Sequence, residues 1–570
     1  MDRLESLIRS FSLTEKIIFR VFAGGVVITA IISLWQLNGS FLTEIPKRGG
    51  EFYEGIVGTP RFVNPVLSLS DADRDVTALI YSGLMKTILS GGLIPDLAEK
   101  YEVSDDGRIY TFTLKENIYF HDGEPITSED VVFTVGKALD PAVKSPKRAN
   151  WEGVSVSNPD GKTVVFSLAQ PYSPFLENTT MGILPKHIWE KVPAEAFAFS
   201  QFNIEPVGSG PYMLGTLKKN SSGLPRYYRL EAYGNHALGR PWISSIYTYF
   251  YDNEFELLEA YKSGEVDSMS GISPEAAEKI KADGGRVETL DLSRVFAVFF
   301  NHNESAIFAN LEVRRALDAA LDKEKIIDFV LKGYGATLGG PIPPGSLPGS
   351  AAEKKSAGEV LDEEERLLEA GAILERNGWK KSSDGVYEKK IKTETQKLEF
   401  SISTSDSTDL KRAAELIKND WEKLGAKVDV KIFSLGDLNQ NVIRPRKYDS
   451  ILFGEVVGRD IDLFAFWHSS QRNDPGLNIA LYTNITADRL LEEARKTTDR
   501  ERRAELYRKF ESEVIKDAPA VFVYAPDFIY VMSEKLKGPA AGAITTPSER
   551  FASVYDWFIN TEKVWEFFAD

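Results

Sequence analysis

Seventeen consecutive uncharged residues, Val21–Leu37, sit near the start of a chain that is otherwise rich in charge. About 17 residues is the lower limit for a helix that crosses the hydrocarbon core of a bilayer. The run therefore separates a short leading segment from a long body that must fold in another compartment. Arg3, Arg9, Lys16 and Arg20 precede it, and basic residues before a span hold that end in the cytoplasm. No A-x-A-like cleavage site follows, and Trp35 stands where an interfacial ring would, which favours an uncleaved signal anchor over a cleaved signal peptide. The remaining reading, a buried core helix, fits poorly with the Asn38-Gly39-Ser40 and Pro46-Lys47-Arg48-Gly49-Gly50 stretches that follow, which read as a linker. Everything after Gly50 is expected on the far side of the membrane, in the periplasm or at the cell surface.

At 570 residues the chain exceeds what one core supports, so several lobes are expected. Its 84 acidic and 68 basic side chains leave a formal charge of −16, which argues against nucleic acid as a partner. It has no cysteine, which removes disulfides, thiolate catalysis and cysteine-ligated metal sites.

Local patterns suggest an α/β body. Glu51–Gly58 reads as a strand ending at Thr59-Pro60. Tyr110–Leu114 and Val164–Leu168 alternate after Asp105-Asp106-Gly107 and Pro159-Asp160-Gly161, so two hairpins are expected. Thr127 and Asp130 nearly match a capping box before a short helix. Leu410, Ala413, Ala414, Ile417, Trp421 and Leu424 recur at helical spacing between the strand Leu398–Ser403 and the alternating run Val428–Ile432, a strand–helix–strand unit whose strands should be parallel. Further helices are expected from Leu311 and near Glu256–Val266. Pro341–Pro348 reads as a solvated loop and Asp362–Glu365 as a solvated helix face.

Catalytic constellations are missing. His121, His187, His236, His302 and His468 show no helical metal spacing. Gly161-Lys162-Thr163 lacks the earlier glycine of a phosphate-binding loop and reads as a hairpin turn. Asp71, Asp73 and Asp75 lack the glycine of a calcium loop and read as helix capping. No cofactor or metal is expected. The enzyme alternative is a cell-surface hydrolase using a carboxylate pair drawn from distant segments.

Five ordered stretches resemble the family 5 extracellular solute-binding proteins, the group of oligopeptide- and dipeptide-binding subunits of ABC importers. The most specific is LIPDLAEKYEVSDDGRIYTFTLKENIYFHDGEPITSEDVVFTV, residues 93–135. It is supported by GTPRFVNPVLS, EPVGSGPYML, FFNHNESAIFANLEVRRALDAALDKEKII and KYDSILFGEVVGRDIDLFAFWHSSQ. The resemblance implies a two-lobed periplasmic-binding-protein-like fold with a hinge, an extra inserted domain and, here, an N-terminal transmembrane anchor. Residues 1–50 would be the cytoplasmic start, anchor and linker. Residues 51–82, 201–290 and 531–570 would form lobe I, 83–200 the inserted domain and 291–530 lobe III. The crossovers would fall at Leu290-Asp291-Leu292 and Ala525-Pro526-Asp527.

The implied function is capture of a peptide-like or other small solute by a monomer, hinge closure, and delivery to ABC permease subunits; a non-transport peptide sensor or chaperone on the same fold is the other binding reading. In peptide-binding members an acid on the loop after a lobe III strand holds the ligand's amino terminus. The corresponding loop here is Gly454–Asp462, in which Glu455 replaces a usual tryptophan and Arg459-Asp460-Ile461-Asp462 replaces an Asp-Pro-Asp-Pro-like run. The resemblance thus marks Asp460 and Asp462 as cleft acids and Arg459 as a carboxylate partner or neutralising charge. Trp467 and Phe300 are candidate pocket walls, and Asn64 and Asn301 candidate contacts to the ligand backbone.

Overall fold

The computed structural model describes residues 11–89, 91–347 and 362–568. Arg3 and Arg9 of the basic segment and Pro348 of the proline-rich stretch lie outside the described residues.

The apolar run becomes the helix Leu13–Ser40, and Leu13–Asn38 is long and apolar enough to cross a membrane: its most apolar 18 residues have a mean hydropathy of 2.3, and none of these is buried against the body. At 1.5 Å per residue its 26 residues span about 39 Å. The segment expected to be a linker differs from its sequence reading: Leu42–Lys47 is a strand, paired antiparallel with Asn560–Trp565 at the other end of the chain. Its partner lies more than five hundred residues away, so no local pattern could announce it.

Two lobes share one strand. Ala520–Met532 pairs through its first half with Arg294–Phe300 and through its second half with Arg286–Leu292 and Ser268–Ser270. Arg286–Leu292 runs through Ser293 directly into Arg294–Phe300. The chain therefore crosses between lobes twice, side by side, which is hinge geometry. On the lobe I side Glu51–Val57 lies parallel to both Ser245–Tyr251 and Ser268–Ser270. On the lobe III side Glu399–Ser405 lies parallel to Lys427–Phe433 and Ser450–Val456. The intervening helix Thr408–Leu424 buries the apolar positions read from its periodicity and ends at Gly425, whose φ of 117° is left-handed and suited to glycine.

The inserted domain is a four-stranded antiparallel sheet containing both expected hairpins, Ala98–Val103 with Ile109–Leu114 and Val154–Ser157 with Thr163–Leu168. Asp160 accepts from the backbone of Lys162 and Thr163, so Gly161-Lys162-Thr163 is a turn. The Thr127–Asp130 capping box opens the helix Ser128–Leu139. One apolar core joins this domain to one face of the lobe I sheet, while lobe III is packed on both faces of its sheet. Of the three early aspartates, Asp73 completes a capping box with Ser70. Asp75 has a different role: it is buried against Arg550.

Candidate functional site

Parallel strands deliver loops to one edge of each sheet, and ligands in α/β proteins usually sit at those carboxyl ends. Here the carboxyl ends of Glu51–Val57 and Ser268–Ser270 in lobe I face the start of the helix Thr408–Leu424 in lobe III. Between them, against the crossing strands, is a cavity of about 480 Å³. Ile56, Val57, Asp71 and Gly271 line it from lobe I, and Arg294, Phe296, Ser407, Asp409 and Tyr524 from lobe III. The cavity carries both charge signs. Arg294 Nε has no hydrogen-bond partner among the described residues. Burial pulls its guanidinium below the ordinary value while Asp71 pulls the other way. Burial, reinforced by Glu275, raises the Asp409 carboxyl, with Arg412 opposing.

A second cavity, of about 340 Å³, lies between lobe I and the inserted domain. Its lining includes Arg74, Thr77, Tyr81 and Asp96, and one buried polar atom on each of these side chains lacks a partner among the described residues. Buried polar groups are nearly always satisfied. This lining is thus suited to water or a polar ligand group.

The loop after the strand Ser450–Val456 closes over this region. Arg459 reaches across to Glu549 of lobe I and donates to the carbonyls of Ile88 and Ala543 at 3.0 Å each. The Asp460 backbone N–H donates to Glu177 of the inserted domain. The side chains of the two acids turn inward to their own lobe: Asp460 is held by Arg503, and Asp462 takes a bidentate pair from Arg495 at 2.6–3.1 Å. A ligand ammonium arriving at Asp462 competes with an arginine that holds both carboxylate oxygens, and at Asp460 it shares the carboxylate with Arg503. Arg503 also donates to Ser173, and the Ser173 N–H donates to the Arg495 carbonyl at 2.9 Å, so the same arginines bridge to the inserted domain.

The other sequence candidates lie inside the lobes. Trp467 is fully buried among Phe299, Tyr482, Phe510 and Phe522. Phe300 packs on Phe308 and Trp421, with its edge on a separate cavity of about 330 Å³ beside His302. Asn64 accepts from the Val66 N–H and donates to Asn203, closing a buried turn. Asn301 donates to the Arg446 carbonyl and accepts from the N–H of Asn303. Glu455, in place of the tryptophan, is 3% exposed, and neither carboxyl oxygen completes a hydrogen bond among the described residues. Burial raises its carboxyl well above the ordinary range. Trp467 lies beside it, and its indole N–H, which completes no full hydrogen bond among the described residues, opposes that rise.

Sequence reading did not single out Arg294, Asp409, Glu177 or Arg550. Arg294 carried a faint signal, as a lone charge opening the apolar strand RVFAVFF.

Residues 92–475 match the family model described as Bacterial extracellular solute-binding proteins, family 5 Middle. The oligopeptide-binding protein AppA of Bacillus subtilis is 28% identical over 501 residues, covering 86% of this chain and 89% of that protein. The solved structure of AppA from Bacillus subtilis in complex with a nonapeptide superposes with a TM-score of 0.68 at 25% identity, covering 90% of this chain and 100% of that one. NikZ from Campylobacter jejuni, solved in complex with Ni(L-His), gives 0.69 at 26% identity over 90% of this chain and 100% of its own. With more than half its length matched by the family model, the chain belongs to the bacterial extracellular solute-binding proteins of family 5.

Proposed function

We propose that this protein captures a peptide-like solute outside the cell, encloses it by hinge closure, and hands it to the permease subunits of an ABC importer while its N-terminal helix keeps it at the membrane. The observation that carries the reading is the hinge-side cavity of about 480 Å³ shared by both lobes, lined by an arginine whose Nε has no partner among the described residues and by aspartates that include Asp71 of lobe I and Asp409 of lobe III. A peptide is a zwitterion with a strand-like backbone. Arg294 suits its carboxylate, Asp71 or Asp409 its ammonium, and the neighbouring strand ends its backbone. The polar cavity beside Tyr81 and Asp96 takes a polar side chain of the ligand. The likeness to AppA, solved with a nonapeptide, supports the ligand class.

In this scheme Arg459, Asp460 and Asp462 shape and latch the closing loop. Trp467, Phe300, Asn64 and Asn301 act on the ligand only through the lobe architecture they hold.

The test is binding of a peptide mixture to the purified full-length chain, with native mass spectrometry of what stays bound. Arg294→Gln is expected to weaken binding of the recovered ligand by about 2–5 kcal/mol, the effect of removing one partner of a desolvated charge pair. Unchanged affinity would remove Arg294 from the site. Chemically altered peptides released at catalytic rates would favour a hydrolase. Peptide uptake that is unchanged in cells lacking the chain would favour a sensor.

A further inference from the structure

The strand that leaves the apolar helix fixes where the chain's far end lies. In the antiparallel ladder Leu42 sits opposite Trp565 and Lys47 opposite Asn560. As Leu42–Lys47 climbs away from the helix, Asn560–Trp565 therefore returns toward it. Trp565 arrives level with the outer end of the helix, where its Nε1 donates to Asn38 Oδ1 at 2.9 Å. Phe567 and Phe568 follow, 87% and 68% exposed, with their rings edge-on at 5.3 Å. Trp35, Phe41 and Trp565, at 76%, 54% and 55% exposure, add bare aromatic surface at the same end of the helix.

The ladder holding this cluster is tied into the body. Lys47 pairs with Glu562 at 3.3 Å and Glu44 with Lys537 at 3.4 Å. Lys537 and Phe558 exchange backbone hydrogen bonds, the Gly49 N–H donates to the Trp242 carbonyl, and the Arg48 guanidinium lies 5.5 Å from the centre of the Trp242 ring. The aromatic cluster is thus tied to the folded body as well as being a neighbour of the span.

Clustered exposed aromatics are unfavourable in water and mark a contact surface. Tryptophan rings in particular collect at the membrane–water boundary, where an apolar face and an N–H are both satisfied. The cluster is continuous with the one helix, among the described residues, that is apolar enough to cross a bilayer. The occupant that this continuity selects is therefore lipid. We propose that Trp565–Phe568 is a second, interfacial membrane contact which, clamped to the transmembrane helix by the two-stranded ladder, holds the binding body at one height and tilt over the bilayer. The inference rests on the reading of the N-terminal helix as an anchor. It changes what that anchor does: instead of a leash of variable reach, the cleft is presented to the membrane in a set orientation.

The absence of cysteine makes the test clean. Full-length single-cysteine variants Phe568→Cys, Trp35→Cys and, as an aqueous control, Ser221→Cys would be labelled with an environment-sensitive fluorophore. Each would be reconstituted in phosphatidylcholine–phosphatidylglycerol vesicles, and quenching by lipids brominated near the headgroup would be read. The labels at 568 and 35 are expected to shift to the blue and be quenched, with that at 221 unaffected. A label at 568 as aqueous as that at 221, with 35 quenched, overturns the second contact and leaves the anchor intact. If neither 35 nor 568 is quenched, the anchor reading fails and this inference with it. Quenching at 568 that requires a membrane protein in the vesicles assigns the patch to that protein and overturns the lipid contact.

Discussion

Arg550 in lobe I and the arginines at the cleft loop use the same chemistry under different exposure. Arg550 is 1% exposed and bonds Glu54 and Asp75, themselves 0% and 2% exposed, while Tyr530 donates to Glu54. This cluster joins the first lobe I strand, the helix Asp71–Ile80, the crossing strand and the C-terminal segment, and nothing in it spans the cleft. At the loop, Arg495 is 30% and Asp460 24% exposed while their partners Asp462 and Arg503 are 14% and 8%, and the contacts that leave lobe III run from Arg459 to Glu549, from the Asp460 N–H to Glu177 and from Arg503 to Ser173. A fully buried charge network fixes one arrangement, because opening it strands charges in a low dielectric. A partly solvated network whose outward contacts join separate domains can be made and broken repeatedly. The first maintains a lobe, and the second is suited to a closing surface.

The largest effect that would separate the two is in lobe I. Arg550→Met leaves two carboxylates buried without a counter-charge and is expected to destabilise by about 3–5 kcal/mol, read as a fall in the urea unfolding midpoint. Replacing Arg550, Glu54 and Asp75 together by apolar residues of similar volume should recover most of that loss. If the single change is silent, the cluster does not hold the lobe.

Glu455 sharpens the comparison as a carboxyl with the burial of the first cluster and no arginine at all. Its folded-state value is raised well above that of the unfolded chain, so the protonated form is the one the fold tolerates. Stability is then greatest below about pH 4.5 and declines as pH rises toward the raised folded value. Glu455→Leu should therefore stabilise, by about 1–3 kcal/mol at neutral pH, and the gap from the natural chain should narrow on acidification. A gap independent of pH would show that packing, not charge, sets the effect. At the cleft, Arg459→Ala removes bonds to Glu549 and two carbonyls and is expected to weaken ligand affinity by about 1–2 kcal/mol with the unfolding midpoint nearly unchanged. The reverse pattern would make Arg459 a structural brace.

How far the sequence reached follows the same division. The hairpins, the Thr408–Leu424 helix with its glycine stop and the apolar span were legible because a period, a cap or a turn is written within a few residues. The charge networks were not. Arg550 lies 496 positions from Glu54 and 475 from Asp75, and a spacing search around Asp71, Asp73 and Asp75 could only suggest capping. Asp460 and Asp462 were noticed by resemblance to the family's loop, but their arginine partners sit on two helices, 33 and 43 positions further on. The pairing of Leu42–Lys47 with the C-terminal strand was hidden for the same reason. Arg294 illustrates the converse: its place in the strand was readable, but its unpaired Nε at the cavity exists only once both lobes are folded.

The smallest expected effect concerns Glu177, which the closed loop covers. Burial pushes its carboxyl up to about 7; the Asp460 N–H pulls it down, the carboxylates of Asp460 and Glu549 push it further up, and Arg459 opposes them. When the lobes part, Glu177 loses this cover and its value returns toward the ordinary 4.5. Closure therefore takes up a proton between about pH 4.5 and 7. Because the closed-state value is the raised one, the contribution favours closure at the acidic end and fades as pH rises through about 7. Ligand affinity, which includes closure, should decline on going from pH 5 to pH 7 by on the order of 1 kcal/mol, with Glu177→Gln flattening the slope. Comparing the two proteins with the same ligand at each pH cancels titration of the ligand itself. Parallel slopes would show that Glu177 is equally shielded in the open and closed states, and that the closing surface carries no proton of its own.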